Sequence, residues 1–289
     1  MSVPGKRSKI YRHLDDLVSE NLDSIKSKGI RQLDKLLPDR SAYKFRKIRE
    51  SGVSGLYDKI KGRKTIVLNY DDLKSRCDHE INYVIGHETA HFMNDSNGRV
   101  KDRIRSESLQ HGIYWIYFAK LIGCEIPAVY VKCDRCKEEF EPREISYYPE
   151  TGELKIDSHH RKDARAVLIN MEYFKELYLE PDTYENYFML SRVISEALNK
   201  KKSLIILDRA KNIIMSSRGR FYDTDLYYQK GQFKVRFKRI SYGDFLSHIF
   251  YDTDYLNYGW KKDKINMYKE KFKHCLKEHS NLTAPSTDA

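Results

Sequence analysis

The stretch Val84-Ile85-Gly86-His87-Glu88-Thr89-Ala90-His91-Phe92 decides how the rest of the chain is read. On a helix, residues four apart lie on one face, so the imidazoles of His87 and His91 project together and can bind one Zn²⁺. Glu88 follows the first ligand and points to the same side. There its carboxylate can take a proton from an attacking water and later pass it to a leaving amine. Ile81, Val84, Ile85, Glu88, His91 and Phe92 share roughly one helical face, which predicts an amphipathic, largely buried helix. Asp78 is the expected N-cap, Glu80 a first-turn acid, and Asn94 to Gly98 the expected stop.

A catalytic zinc takes three protein ligands and leaves one position for water. His111 is the expected third ligand, because it opens a second helix, Gln110 to Lys120, that should pack against the first. Glu107 is the alternative. His79 falls two turns before His87, too far along the helix to share the metal. Trp115, Phe118, Ala119 and Ile122 form the buried face of the second helix, and Gly123 and Pro127 close it. On the other side of the motif, Thr65 to Tyr70 is β-branched and apolar and reads as a strand. A strand beside a metal helix can pair with an extended peptide through backbone hydrogen bonds, and being a core strand is compatible with that role.

The net charge of +11 over 289 residues is uneven. The first sixty-odd and the last hundred-odd residues carry the excess, and the stretch between is slightly acidic. That balance favours an anionic partner, nucleic acid ahead of membrane, because no long apolar run exists. The basic loop Arg99, Lys101, Arg103 and Arg105 lies on the lip of the expected site and offers one DNA contact. Phe233 to Arg239 alternates strictly, and the strand face Lys234, Arg236 and Lys238 offers a second. The aromatic and basic segment Tyr43 to Arg49 reads as a solvated helix face. Five cysteines, an odd number, do not form a disulfide framework. Cys77, Cys124 and Cys275 read as thiols of a reducing compartment. With no apolar signal region and no membrane-length run, the expected location is cytoplasmic.

From about Thr65 to Phe140 the chain resembles the SprT-like metalloprotease domain, the group containing the Spartan proteases. The resemblance rests on the strand Thr65–Tyr70, on His87-Glu88-Thr89-Ala90-His91, and on the phrase His111-Gly112-Ile113-Tyr114-Trp115. It implies that His111, ahead of an aromatic, is the third zinc ligand. It also implies a cysteine-containing zinc subdomain next, where Tyr130-Val131-Lys132-Cys133-Asp134-Arg135-Cys136 stands. No second C-x-x-C follows. A closed zinc site needs four ligands, so His159 and His160 are the candidates to complete a structural site with Cys133 and Cys136. They lie beyond a hairpin expected at Tyr147 to Asp157.

The expected fold is α+β, with five segments. These are a basic helical N-terminal segment (1–62), a zincin-like SprT core (63–131), a small zinc-binding appendage (132–163), a C-terminal α/β domain (164–279) and a loose tail (280–289). The expected function is zinc-dependent peptide-bond hydrolysis, with Zn²⁺ on His87, His91 and His111 and Glu88 as general base. By resemblance, the substrates would be proteins associated with DNA, as in repair of DNA–protein crosslinks. Two other classes stay open: a soluble zincin that cleaves a regulatory protein such as a repressor without DNA contact, and a non-catalytic, zinc-containing DNA-associated module.

Overall fold

Apolar residues at helical spacing build α1 (Pro4–Ser27), and its Leu14, Leu17, Val18 and Leu22 are buried in the computed structural model. Gly29, at φ +69°, ends the helical run in a conformation that a side chain would disfavour. The structure describes residues 4–49, 53–98, 111–127, 129–133, 139–140, 145–148, 153–156, 164–171, 204–208, 210–217, 219–241, 243–245 and 248. Residues 172–203 and 249–279 of the expected C-terminal domain, and the tail at 280–289, lie outside them. The architecture is mixed α+β. Among the described residues, no helix is long and apolar enough to cross a membrane.

The chain divides into two compact units, one holding residues 1–101, 114–126 and 226–234, the other the remainder. In the first, β1 (Tyr43–Arg46), β2 (Gly55–Ile60) and β3 (Arg63–Asn69) form a three-stranded sheet in the order β1-β3-β2. The segment read as a solvated helix face is therefore a strand. Tyr43 pairs with Ile66 in a parallel ladder, and the alternation of buried Tyr43 with exposed Lys44 follows the pleat. β2 returns to β3 through Lys61 and Gly62, both at positive φ, which suits the two-residue turn of a right-twisted hairpin.

A short helix, α2 (Tyr70–Leu73), leads into α3 (Asp78–Ser96), the helix of the histidine motif. Its N-cap is Cys77, not Asp78. The Cys77 N–H donates to Glu80 Oε2 at 3.1 Å, so the first-turn acid closes a capping box one residue earlier than expected. The end falls as expected, with Asn97 as C-cap and Gly98 at φ +83°. Ile81, Val84 and Ile85 of α3 share one apolar cluster with α1 and with Ile66 and Leu68 of β3. Burial of that cluster holds α3 on the sheet; each fully buried Leu or Ile contributes about 1.5–3 kcal/mol.

α4 (Ile113–Ile122) is apolar on nearly every side, and Trp115, Ile116, Phe118 and Ala119 are fully buried. Gly123 closes it at φ +78°. Beyond it lie β4 (Val129–Cys133), β5 (Glu139–Phe140), β6 (Ile145–Tyr148), β7 (Glu153–Ile156), β8 (Ala164–Asn170), β9 (Leu204–Leu207), β10 (Ile213–Ser217), β11 (Arg220–Gln229) and β12 (Gln232–Ile240). Seven of them form one sheet in the order β12-β11-β10-β9-β8-β4-β5, which joins strands from both sides of residue 163. β6 and β7 pair as the expected hairpin, with Tyr148 opposite Glu153. β9 and β10 are buried along their whole length, as their unbroken apolar runs require. Asp208 fastens the turn between them, accepting the Asn212 N–H at 2.7 Å and the Asn212 amide at 3.0 Å.

Candidate metal centre

Helical rise sets the first part of the site. His87 and His91 lie one turn apart on α3, with their Nε2 atoms 3.3 Å apart. Two imidazole nitrogens bound to one tetrahedral zinc at about 2.0–2.1 Å would stand about 3.3–3.4 Å apart, so the spacing fits that ion. His111, buried just ahead of α4, brings the third nitrogen. Ligand atoms of His87, His91 and His111 all lie within 4.8 Å of one another. Three neutral nitrogen donors suit a borderline-soft divalent ion and not Mg²⁺ or Ca²⁺, which take oxygen.

Aromatic rings back every ligand. The Trp115 ring centroid lies 5.0 Å from that of His87 and 5.5 Å from that of His91. Its indole N–H reaches the His87 carbonyl at 3.4 Å. Tyr130 of β4 stacks face to face on His111, with centroids 4.0 Å apart and planes within 1°. A ring held flat against an imidazole restricts its rotation, so these contacts limit where the ring nitrogens can go.

Glu88 is buried between α3 and the sheet. Burial pushes its carboxyl up to about 8, while a hydrogen bond from the Tyr57 backbone N–H favours the charged form and opposes that rise. Beside it, Gly86 lets Cys124 approach the helix: a Cβ at position 86 would lie 3.0 Å from Cys124 Sγ. Burial, then Glu125 and Glu88, push the Cys124 thiol up to about 12, so it stays protonated and inert.

No family model, no curated protein and no solved structure matches the chain. The site is therefore read from its own atoms.

The remaining expected residues divide into three groups. Arg99, Lys101, Arg103, Arg105, Glu107, Cys136, His159, His160 and the side chain of Cys133 lie outside the described residues. His79 is a surface residue, its Nε2 3.4 Å from Glu125. On β12, Arg236 and Lys238 are exposed and Lys234 is half-buried, with its amine 3.2 Å from Gln229 Oε1. The turn Lys230–Gly231, with both residues at positive φ, sets Gln229 opposite Gln232. Counting back along β11, Asp225 stands opposite Arg236 and Asp223 opposite Lys238, so the basic row runs beside two acids.

The strand expected to pair with substrate is corrected. β3 is hydrogen-bonded on both sides, to β1 and to β2, so its backbone groups are already used. The edge strands of this three-stranded sheet are β1 and β2, and Gly55 of β2 lies against Glu88. Gly55, the Tyr57 N–H, the double ring contact of Trp115 and the Tyr130 stack were not legible from motif spacing. Gly86 had a signal: a glycine inside an otherwise helical pattern marks a close approach.

Proposed function

We propose that the chain is a zinc-dependent metalloprotease of SprT-like type, with a zincin-like core built on α3. The observation that carries this reading is the convergence of His87, His91 and His111 within 4.8 Å, with Glu88 next to the first of them. Zinc held by these three residues would supply polarisation of the scissile carbonyl and of the attacking water. Glu88 accepts the proton from that water and hands it to the departing amine. Gly55 of β2 leaves room for the Glu88 side chain, whose Oε1 would lie 3.2 Å from a Cβ placed there. Trp115 and Tyr130 hold the ligand rings, and the aromatic wall limits competing water. A purely structural zinc site has no use for a buried, protonatable Glu88, which favours the enzyme over the non-catalytic module.

Resemblance to Spartan-type proteases and the net charge of +11 support DNA-associated proteins as substrates. Asp223 and Asp225 beside the β12 basic row favour a second reading, a protease of a regulatory protein that makes no DNA contact through that face.

Glu88→Gln keeps size and shape but cannot accept a proton. Purified Glu88→Gln should hold as much zinc as the parent chain and hydrolyse an unfolded protein at least about a hundredfold more slowly. His87→Ala and His91→Ala should lose the zinc as well. Full hydrolysis by Glu88→Gln would remove the mechanism. DNA stimulation at low salt that disappears as salt rises would select the first substrate class, and equal rates with and without DNA the second.

A further inference from the structure

Three residues of β2 meet α3 in step. Gly55 lies against Val84 and Glu88, the Tyr57 ring packs edge-on against Phe92 at 6.0 Å, and the Lys59 amine reaches Asp95 at 2.8 Å. Two strand residues advance about 6.6 Å, and the four and then three helix residues between these partners about 6 and 4.5 Å, so alternate residues of β2 match successive turns of α3. The glycine stands at the turn that carries Glu88. A Cβ at position 55 would lie 2.7 Å from Val84 Cγ1, 2.9 Å from Glu88 Cγ and 3.2 Å from Glu88 Oε1. Gly55 is not among the residues with positive φ, so its backbone places no demand for glycine. The demand comes from the space that Glu88 occupies.

We propose that Gly55 is a positioning residue for the general base. β2 omits a side chain at the one register position where the Glu88 stem and carboxylate lie under the strand. Any side chain at 55 drives the Glu88 stem away from the strand. The inference rests on the reading of Glu88 as general base, and its structural half can be tested without catalysis.

The full-length chain carrying Gly55→Ala is compared with the parent for zinc content, for kcat and KM on denatured casein, and for melting temperature. Zinc should stay at the parental level, and KM should change less than about twofold. The kcat should fall about tenfold or more, because displacement of a reacting group by a fraction of an ångström is costly. If Gly55→Ala does not fold, Val84→Ala/Gly55→Ala removes the tightest clash and keeps the one with Glu88; the same kcat loss is expected. A cycle of melting temperatures with Glu88→Ala stands apart from activity: Gly55→Ala should lower the melting temperature less in the Glu88→Ala background than in the parent. Equal losses in both backgrounds, or parental kcat in Gly55→Ala, would overturn the proposal. A parent chain that binds zinc yet cleaves nothing would instead refute the protease reading, and the melting cycle would still decide whether Gly55 makes room for Glu88.

Discussion

Along α3, the side that faces the sheet and the side that faces α4 are held by different kinds of contact. On the sheet side, Glu88 lies against Gly55, Thr89 bonds Tyr43, Phe92 meets Tyr57, and Asp95 takes Lys59 and Lys64. Each contact is specific to one strand residue, so the helix cannot slide by a turn without losing all of them. On the α4 side, one indole covers both metal-ligand rings, and Cys124 fills the notch at Gly86. There the contact is area, not register. The base is set by position along a strand, and the ligands by a wall.

The largest effect should come from removing the wall. Trp115 is fully buried, so Trp115→Ala should cost about 3–5 kcal/mol of stability, read by denaturant unfolding, and weaken zinc retention. Trp115→Phe keeps most of the area and loses the bond to the His87 carbonyl. If area is what matters, it should recover most of the stability; a loss as large as that of alanine would break the distinction between the two sides.

An intermediate effect tests the sheet side. Thr89 Oγ1 gives its proton to the Ile85 carbonyl at 2.6 Å, so the 2.7 Å contact with Tyr43 must be donated by the phenol. Burial pushes the Tyr43 hydroxyl well above its ordinary range, so it is a donor at any workable pH. Thr89→Val strips it of that acceptor and should cost about 1–3 kcal/mol. Tyr43→Phe/Thr89→Val should recover part of this, and the absence of any coupling would show that the bond contributes nothing.

The smallest effect belongs to Asp95. Burial alone would raise its carboxyl, but the Lys59 hydrogen bond and the Lys64 ion pair hold it below its ordinary value. A depressed pKa means stability that is present above the unfolded carboxylate range and is lost as the pH falls through the folded value. Asp95→Asn should therefore cost less than about 1 kcal/mol at neutral pH, and the gap from the parent should narrow on acidification. A gap that widens in acid would reverse the sign and remove Asp95 from the set of register contacts.

This division explains what could be read from sequence. His87 and His91 were legible because a shared metal imposes helical spacing, and spacing is one-dimensional; His111 was legible from the helix it opens and from the resemblance. β3 was legible because near-complete burial leaves a β-branched, apolar run at Thr65 to Leu68. β1 was not, since four residues of mixed aromatic and basic character fit a helix face as well as a pleat, and only the ladder to Ile66 decides. Gly55 was silent for another reason: its role is an empty volume, defined by a helix about thirty residues away. The Asn97 amide, bonded to Phe233 at both ends, joins residues 136 positions apart.

That last pair bears on how the protein is made. Asn97 Nδ2 donates to the Phe233 carbonyl at 2.9 Å, and the Phe233 N–H donates back to Asn97 Oδ1 at 2.8 Å, in a setting where Asn97 is buried. The ribosome delivers α3 and α4 first and the hairpin tip at 226–234 only after residues 127–225 have been added. At about 5–20 residues per second, that interval lasts roughly 5–20 s. Throughout it the nascent chain holds His87 and His91 on a helix whose Asn97 amide has yet to meet its partner. Completion of the unit that carries α3 is thus timed by translation of a segment far from the histidine motif.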